Sequence, residues 1–226
     1  PARTSLAAER IAVSRTANGG QACLCPDYVF VPRDRLAEFV ELTSEAFRRL
    51  YPDFASDPAV TPIIDDRNVA RVTGLIGDAR DKGATLVEAG TSNTAARRIA
   101  PTLLLEVTED MAVTREEVFG PVLTVYPYDE ITEVVEYVTA HPAPLTAYWY
   151  GEDSADFRFF RHRTTSGGIT RNDYAAYMLL PDVPFGGVGR SGTGSYNGKA
   201  GFDTFSHRRA VATTTFPGGV AGMLGP

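Results

Sequence analysis

The chain has 226 residues, 43% of them hydrophobic, enough for one large domain or one domain with an extension. Its net charge of −6 and pI near 5.1 argue against a nucleic-acid-binding surface. No apolar run approaches the roughly 18 residues that span a bilayer, and no basic region leads into an apolar core at the N-terminus, so neither a membrane span nor a signal peptide is expected.

The predicted elements alternate. Residues 5–16 read as a helix with Leu6, Ile11 and Val13 apolar, and 17–21 as a glycine-rich break. Residues 27–31 (DYVFV) form a short apolar run expected to be a buried strand. Residues 33–50 place Leu36, Phe39, Val40, Phe47 and Leu50 at helical spacing. Three prolines mark 51–62 as a loop, and a helix over 68–82 is closed by Gly83. Strands are predicted at 84–88, 101–106, 122–126, 145–150 (buried) and 168–170, with helices at 130–140 and 154–163. The alternation predicts an α/β domain with a mostly parallel sheet flanked by helices. Residues 202–215 alternate weakly and are expected to add an edge strand that a second subunit could share.

Only Cys23 and Cys25 are cysteines. Read on an extended segment, they point to opposite sides, so no structural disulfide is expected. Free thiols fit a reducing compartment, hence a cytoplasmic location. Cys23 follows the Gly19-Gly20 pair, where the backbone can approach a ligand and leave amide N–H groups open. A thiolate there could act as a nucleophile, with a neighbouring N–H stabilising an oxyanion. Taken alone, the short GGQAC pattern is more often an ordinary buried thiol than a nucleophile. Cys25 reads as a small apolar filler whose nearness to Cys23 leaves open an inactivating disulfide or sulfenic acid. The three histidines, His141, His162 and His207, are scattered and give no zinc spacing. Surface or structural roles are expected for them, and a cysteine hydrolase would need one beside Cys23.

A second motif, EEVFGPV over residues 116–122, turns at Gly120-Pro121 just before a predicted strand, which puts Glu117 and Phe119 at a strand edge. A third, PFGGVGRSGTGSYNGKAGFDTFSH, is rich in glycine. It lacks the Walker arrangement, and its GxGxxG match, Gly187 to Gly192, has no hydrophobic strand leading into it, so a phosphate or dinucleotide cradle fails on context.

GGQAC, EEVFGPV and the third motif together make the chain resemble an aldehyde dehydrogenase, nearest to the class 3 and coniferyl aldehyde group, from about residue 7 to about residue 209. The resemblance implies the catalytic domain of that family over 1–201, with an oligomerisation-type segment and tail over 202–226. It implies Cys23 as the nucleophile, which forms a thiohemiacetal and then a thioester, with hydride transfer to NAD or NADP. It further implies that Glu117 binds the ribose on the nicotinamide side and that Phe119 packs nearby. Phe185 is implied as a wall of the substrate entrance. Asn172, in SGGITRND, matches a family position near the active site, and a turn asparagine reads equally well. No metal is implied. The expected partners are a small aromatic or medium-chain aldehyde and further copies of the chain, or else a cofactor domain that is not found in this sequence. The family's general-base glutamate and its glycine-rich nucleotide turn belong to that domain. Two other readings stand beside oxidation: a non-catalytic binding or oligomerisation module, and a cofactor-free thiol esterase.

Overall fold

The computed structural model describes residues 4–225. Helix α1 (Thr4–Thr16) buries Ala8, Ile11 and Ala12 and packs on α2 (Leu36–Leu50), whose Phe39 and Phe47 point inward. Val13, expected among the apolar face of α1, is exposed. Helix α3 (Asp66–Asp81) starts two residues before its predicted position, because the Asp65 side chain caps it by accepting from the Asn68 N–H at 2.8 Å. It stops before Gly83, which has φ +102°.

Four strands form the main sheet, β1 (Tyr28–Pro32), β2 (Thr85–Glu88), β3 (Thr102–Leu105) and β4 (Val122–Tyr128), in the order β1-β4-β3-β2. Strand β4 runs parallel to both neighbours, with Tyr28 opposite Thr124 and Thr102 opposite Val122. The pairings are mostly parallel, as expected, and β2 pairs antiparallel with β3. The link between them has no crossover helix. It folds back through the Asn93–Arg98 bridge, and such a return needs no long crossover.

Helix α4 (Ile131–Ala140), strand β5 (Thr146–Trp149), helix α5 (Ala155–Arg163) and strand β6 (Gly168–Arg171) follow. Strands β5 and β6 make a separate parallel pair. Val134, Val135, Val138 and Phe160 of α4 and α5 bury against Phe30, Tyr128, Ala147 and Trp149, so these helices underlie both sheets. The two strands expected to be buried, β1 and β5, are mostly half-buried, because both line a cavity.

The predicted edge strand over 202–215 does not form in the single chain. Residues 198–204 turn as the short helix α6 (Gly198–Thr204), braced by a Lys199–Asp203 ion pair one turn apart, and a further short helix, α7 (Gly219–Leu224), lies in the tail. Phe202 and Phe205 are 72% and 88% exposed, so the weak alternation has no core to face. Among the described residues no helix is long and apolar enough to cross a membrane.

Candidate active site

The Cys23 loop joins α1 to β1. Its path is set by three left-handed residues in a row, Asn18 (φ 52°), Gly19 (φ 67°) and Gly20 (φ 76°). Glycine is needed at 20 for space as well as for conformation, since a Cβ there would lie 2.3 Å from the Gly120 carbonyl oxygen. The GGQAC and EEVFGPV motifs thus meet backbone to backbone. Gln21 ties the loop to a third segment: its Nε2 donates to the carbonyls of Asn18 (2.9 Å) and Pro62 (3.0 Å), and its Oε1 accepts from the Ile64 N–H at 2.9 Å.

Residues 22–25 form a turn closed by the Cys25 N–H donating to the Ala22 carbonyl at 2.9 Å, which corrects the extended reading of this segment. The cysteines still part company. Cys23 is exposed, whereas Cys25 is buried and its thiol donates to the Ser14 carbonyl at 3.0 Å. Burial pushes the Cys25 thiol up, with Arg15 nearby opposing. Among the described residues no hydrogen-bond partner of the Cys23 backbone N–H is present.

The EEVFGPV segment is held from two sides. From α3, Arg71 pairs with Glu116 at 2.9 Å and donates to the carbonyls of Glu117 (3.1 Å) and Val118 (2.6 Å). From the Cys23 side, Asp27 accepts from the Val118 N–H at 3.2 Å. Asp27 also pairs at 3.3 Å with Arg15, which is 1% exposed and donates to the Pro26 carbonyl at 2.9 Å. Desolvation raises the Asp27 carboxyl above its ordinary value, while Arg15 pulls the other way. Glu117 is raised too, first by burial and then by Asp27, with Arg15 and Arg71 opposing. Phe119, at φ 46°, presents its ring to the surface at 39% exposure.

Cys23 and Glu117 line one cavity of about 900 Å³, together with Asp27, Tyr148, Arg190 and Ser191. Phe185 is not on that wall. It is buried beside Leu24, the neighbour of Cys23, and packs on Tyr177 and Tyr196 with ring centroids at 5.6 and 5.3 Å. The side chain of Asn172 is engaged away from Cys23. Its Oδ1 accepts from the Gly151 N–H at 2.7 Å, its Nδ2 donates to the Gly151 carbonyl at 2.9 Å, and its own carbonyl accepts from Arg10. Asn172 therefore braces the ends of β5 and β6. Tyr174, two residues on, joins the Leu24 cluster; burial raises its hydroxyl, with Cys25 and Cys23 adding.

The glycine-rich stretch coils on itself, since a Cβ on Gly187 would lie 2.0 Å from the Ser191 carbonyl oxygen. Residues 189–191 make one tight turn, Gly189–Ser191, so the GxGxxG match opens no α-helix of the dinucleotide-binding kind. None of the three histidines lines the cavity, and His141 stacks on Tyr137 at the end of α4. Among the described residues no cluster of three or more His, Cys, Asp or Glu could hold a metal.

The chain matches the aldehyde dehydrogenase family over residues 2–211, most of its length. It belongs to that family. The probable coniferyl aldehyde dehydrogenase of Pseudomonas aeruginosa is 44% identical over 205 residues, covering 91% of this chain and 43% of that protein. The coniferyl aldehyde dehydrogenase of a Pseudomonas species is 37% identical, covering 90% and 44%. The chain thus spans less than half the length of these aldehyde dehydrogenases. Among solved structures, the substrate-bound AldH of Staphylococcus aureus superposes with a TM-score of 0.82 at 32% identity, covering 97% of this chain and 48% of that one. An aldehyde dehydrogenase C mutant from Pseudomonas syringae, complexed with NAD+ and octanal, gives 0.77 at 29%, covering 90% and 43%.

Three residues that brace the site carry no motif of their own: Arg15, Asp27 and Arg71. Arg15 stands among the inward residues of α1, where an unpaired charge would be costly, and that was the one signal pointing to a buried partner. The others act through backbone groups of distant segments, which no local pattern reveals.

Proposed function

We propose that this chain is the catalytic part of an aldehyde dehydrogenase and that Cys23 is its nucleophile. The Cys23 thiolate forms a bond to the carbonyl carbon of an aldehyde, with the open Cys23 N–H stabilising the oxyanion. Hydride leaves that carbon to give a thioester, and water releases the carboxylic acid and the thiol. NAD or NADP, when bound, accepts the hydride. The observation that carries this reading is the backbone contact of Gly20 with Gly120, which keeps Cys23 and Glu117 on one cavity wall.

The residues present suit a nicotinamide nucleotide. The Glu117 carboxylate can accept from two ribose hydroxyls, and the exposed Phe119 ring offers an apolar face beside it. The resemblance to coniferyl aldehyde dehydrogenases favours an aromatic or medium-chain aldehyde, and Leu24, Tyr177 and Phe185 back the Cys23 turn as a buried apolar cluster. Asn172 supports the cavity wall by holding Gly151, which lines it. In the family the general base and main nucleotide site lie upstream of these residues, so turnover is expected of the longer polypeptide. Residues 202–226, with Phe202, Phe205, Val211 and Leu224 exposed, are proposed to meet a second subunit. The free thiols suit the cytoplasm. A cofactor-free esterase is disfavoured because no histidine lines the cavity to serve as base.

The test joins this chain to the upstream part of the Pseudomonas aeruginosa relative and follows nicotinamide reduction with an aromatic aldehyde. Cys23→Ser should lower the rate by about 10³-fold or more. Undiminished oxidation in that variant would refute the assignment.

A further inference from the structure

Strand β5 divides its residues between two neighbours. Ala147 and Trp149 pack on α4 and α5. Tyr148 lies between them and faces the other way, toward the Cys23 turn. Its ring meets Tyr174 edge-on with centroids 6.2 Å apart, and its hydroxyl donates to the Leu24 carbonyl, 124 positions away in sequence, at 2.8 Å. Among the described residues this is the only hydrogen bond that the Leu24 carbonyl accepts. Leu24 is buried, so the carbonyl would otherwise be left unmet. Burial pushes the Tyr148 hydroxyl above its ordinary value, so it keeps its proton and stays a donor through neutral and mildly alkaline pH.

The bond continues beyond Leu24. The peptide group that it reaches carries the Cys25 N–H, which donates to the Ala22 carbonyl at 2.9 Å. The peptide group of Ala22 carries the Cys23 N–H in turn, and that N–H has no partner among the described residues. Tyr148 therefore heads a row of donors that ends at the open N–H of the nucleophile's own residue. The middle of the row is fixed from its other side, where the Cys25 thiol donates to the Ser14 carbonyl at 3.0 Å. A peptide group that accepts at its oxygen is a stronger donor at its nitrogen, and bonds in such a row reinforce one another by about 10–30% each.

We propose that Tyr148 is a positioning residue for carbonyl chemistry at Cys23: through the peptide groups 24–25 and 22–23 it strengthens the Cys23 N–H as a donor to an oxyanion. The proposal rests on Cys23 being the nucleophile. In this role Tyr148 needs no contact with the substrate or the thiol. It acts where negative charge grows on a carbonyl oxygen. A reaction of the same thiolate that forms no oxyanion does not feel it.

That difference supplies the test, in this chain and without a nucleotide. With p-nitrophenyl acetate, the Cys23 sulfur bonds to the carbonyl carbon and the carbonyl electron pair moves to oxygen. Its return expels p-nitrophenolate and leaves a thioester. With iodoacetamide, the same thiolate displaces iodide directly, and no oxyanion forms. Tyr148→Phe should slow the first release of p-nitrophenolate about 3-fold, since it takes away about 10–30% of an effect worth about 10²–10³-fold. Alkylation should keep its rate. Tyr150→Phe is the control: it removes a nearby buried hydroxyl that has no hydrogen-bond partner among the described residues, and it should change neither rate. Tyr148→3-fluorotyrosine keeps the bond but makes its donor more acidic, and should speed acylation alone. It keeps the proposal testable if the phenylalanine variant does not fold.

Equal acylation in the wild type and Tyr148→Phe overturns the proposal. So does a fall in both rates together, because the hydroxyl then merely supports the turn, and so does slower acylation with the fluorinated side chain. Cys23→Ser separates this proposal from the reading beneath it. If acylation needs Cys23 but ignores Tyr148, the nucleophile stands and the row of donors falls. If the wild type shows no Cys23-dependent acylation, both fall.

Discussion

Gly20 and Gly120 touch backbone to backbone, one from the turn that carries Cys23 and the other from the turn that carries Glu117. Gly20→Ala sets a methyl group 2.3 Å from the Gly120 oxygen and strains a residue at φ 76°. The left-handed conformation alone costs roughly 1–2 kcal/mol, and overpacking adds about 1–3 kcal/mol. The variant should therefore melt several degrees lower, and any activity that depends on Cys23 should drop further than stability does. Equal activity per folded molecule would show that the contact does not set the site.

Two of the three side-chain hydrogen bonds of Gln21 reach residues more than 40 positions away, Pro62 and Ile64, and the third goes to Asn18. Gln21→Ala removes three hydrogen bonds and leaves backbone groups unmet, at a cost of about 1–3 kcal/mol. Limited proteolysis should then cut the 17–25 loop faster than in the wild type, and urea unfolding should shift to a lower midpoint.

The two thiols should be chemically distinct. Cys23 is exposed and Cys25 is buried with its thiol bonded to Ser14. A thiol reagent under native conditions should modify Cys23 first, and Cys25 roughly 100-fold more slowly, through local opening. Mass mapping of the labelled peptides, with Cys23→Ser as control, separates the two.

Removing the Asp27 carboxylate strands Arg15, which is 1% exposed. Asp27→Ala leaves the buried Arg15 with the Pro26 carbonyl as its partner and should cost about 1–3 kcal/mol, since the Asp27 side of the pair is partly open to solvent. Replacing both partners with apolar residues should recover much of that loss. A double-mutant cycle in urea checks it.

Glu117 carries a pH signature. Its folded value is raised above the ordinary 4.5, chiefly by burial. A carboxyl raised in this way contributes stability that is fully present below pH 4.5 and is lost as pH rises through the folded value. Glu117→Gln should accordingly melt above the wild type at neutral pH and match it below 4.5. In the longer polypeptide the same change should weaken nucleotide binding by about tenfold, as loss of a charge-assisted hydrogen bond does. Opposite effects on stability and binding would identify a residue kept for function.

Local chemistry made much of this legible. Helical spacing located Phe39 and Phe47, Gly83 marked the end of α3, and the run before Tyr126 marked β4. Motifs located Cys23 and Glu117. What could not be read depends on pairing across distance. The reversed direction of β2 follows from the Asn93–Arg98 return, and the engagement of Asn172 follows from Gly151 being within reach. Residues 202–215 alternated as a strand does, yet a strand needs a neighbour, and in the single chain there is none for them.

The ties of the Cys23 turn have a consequence for synthesis. Its braces at Pro62, Ile64 and Gly120 are translated well after it, the last of them 100 positions later, from 20 to 120. At about 5–20 residues per second, that leaves Cys23 as an ordinary thiol on a nascent chain for about 5–20 s. An oxidant or electrophile met in that interval would find the thiol before its surroundings exist.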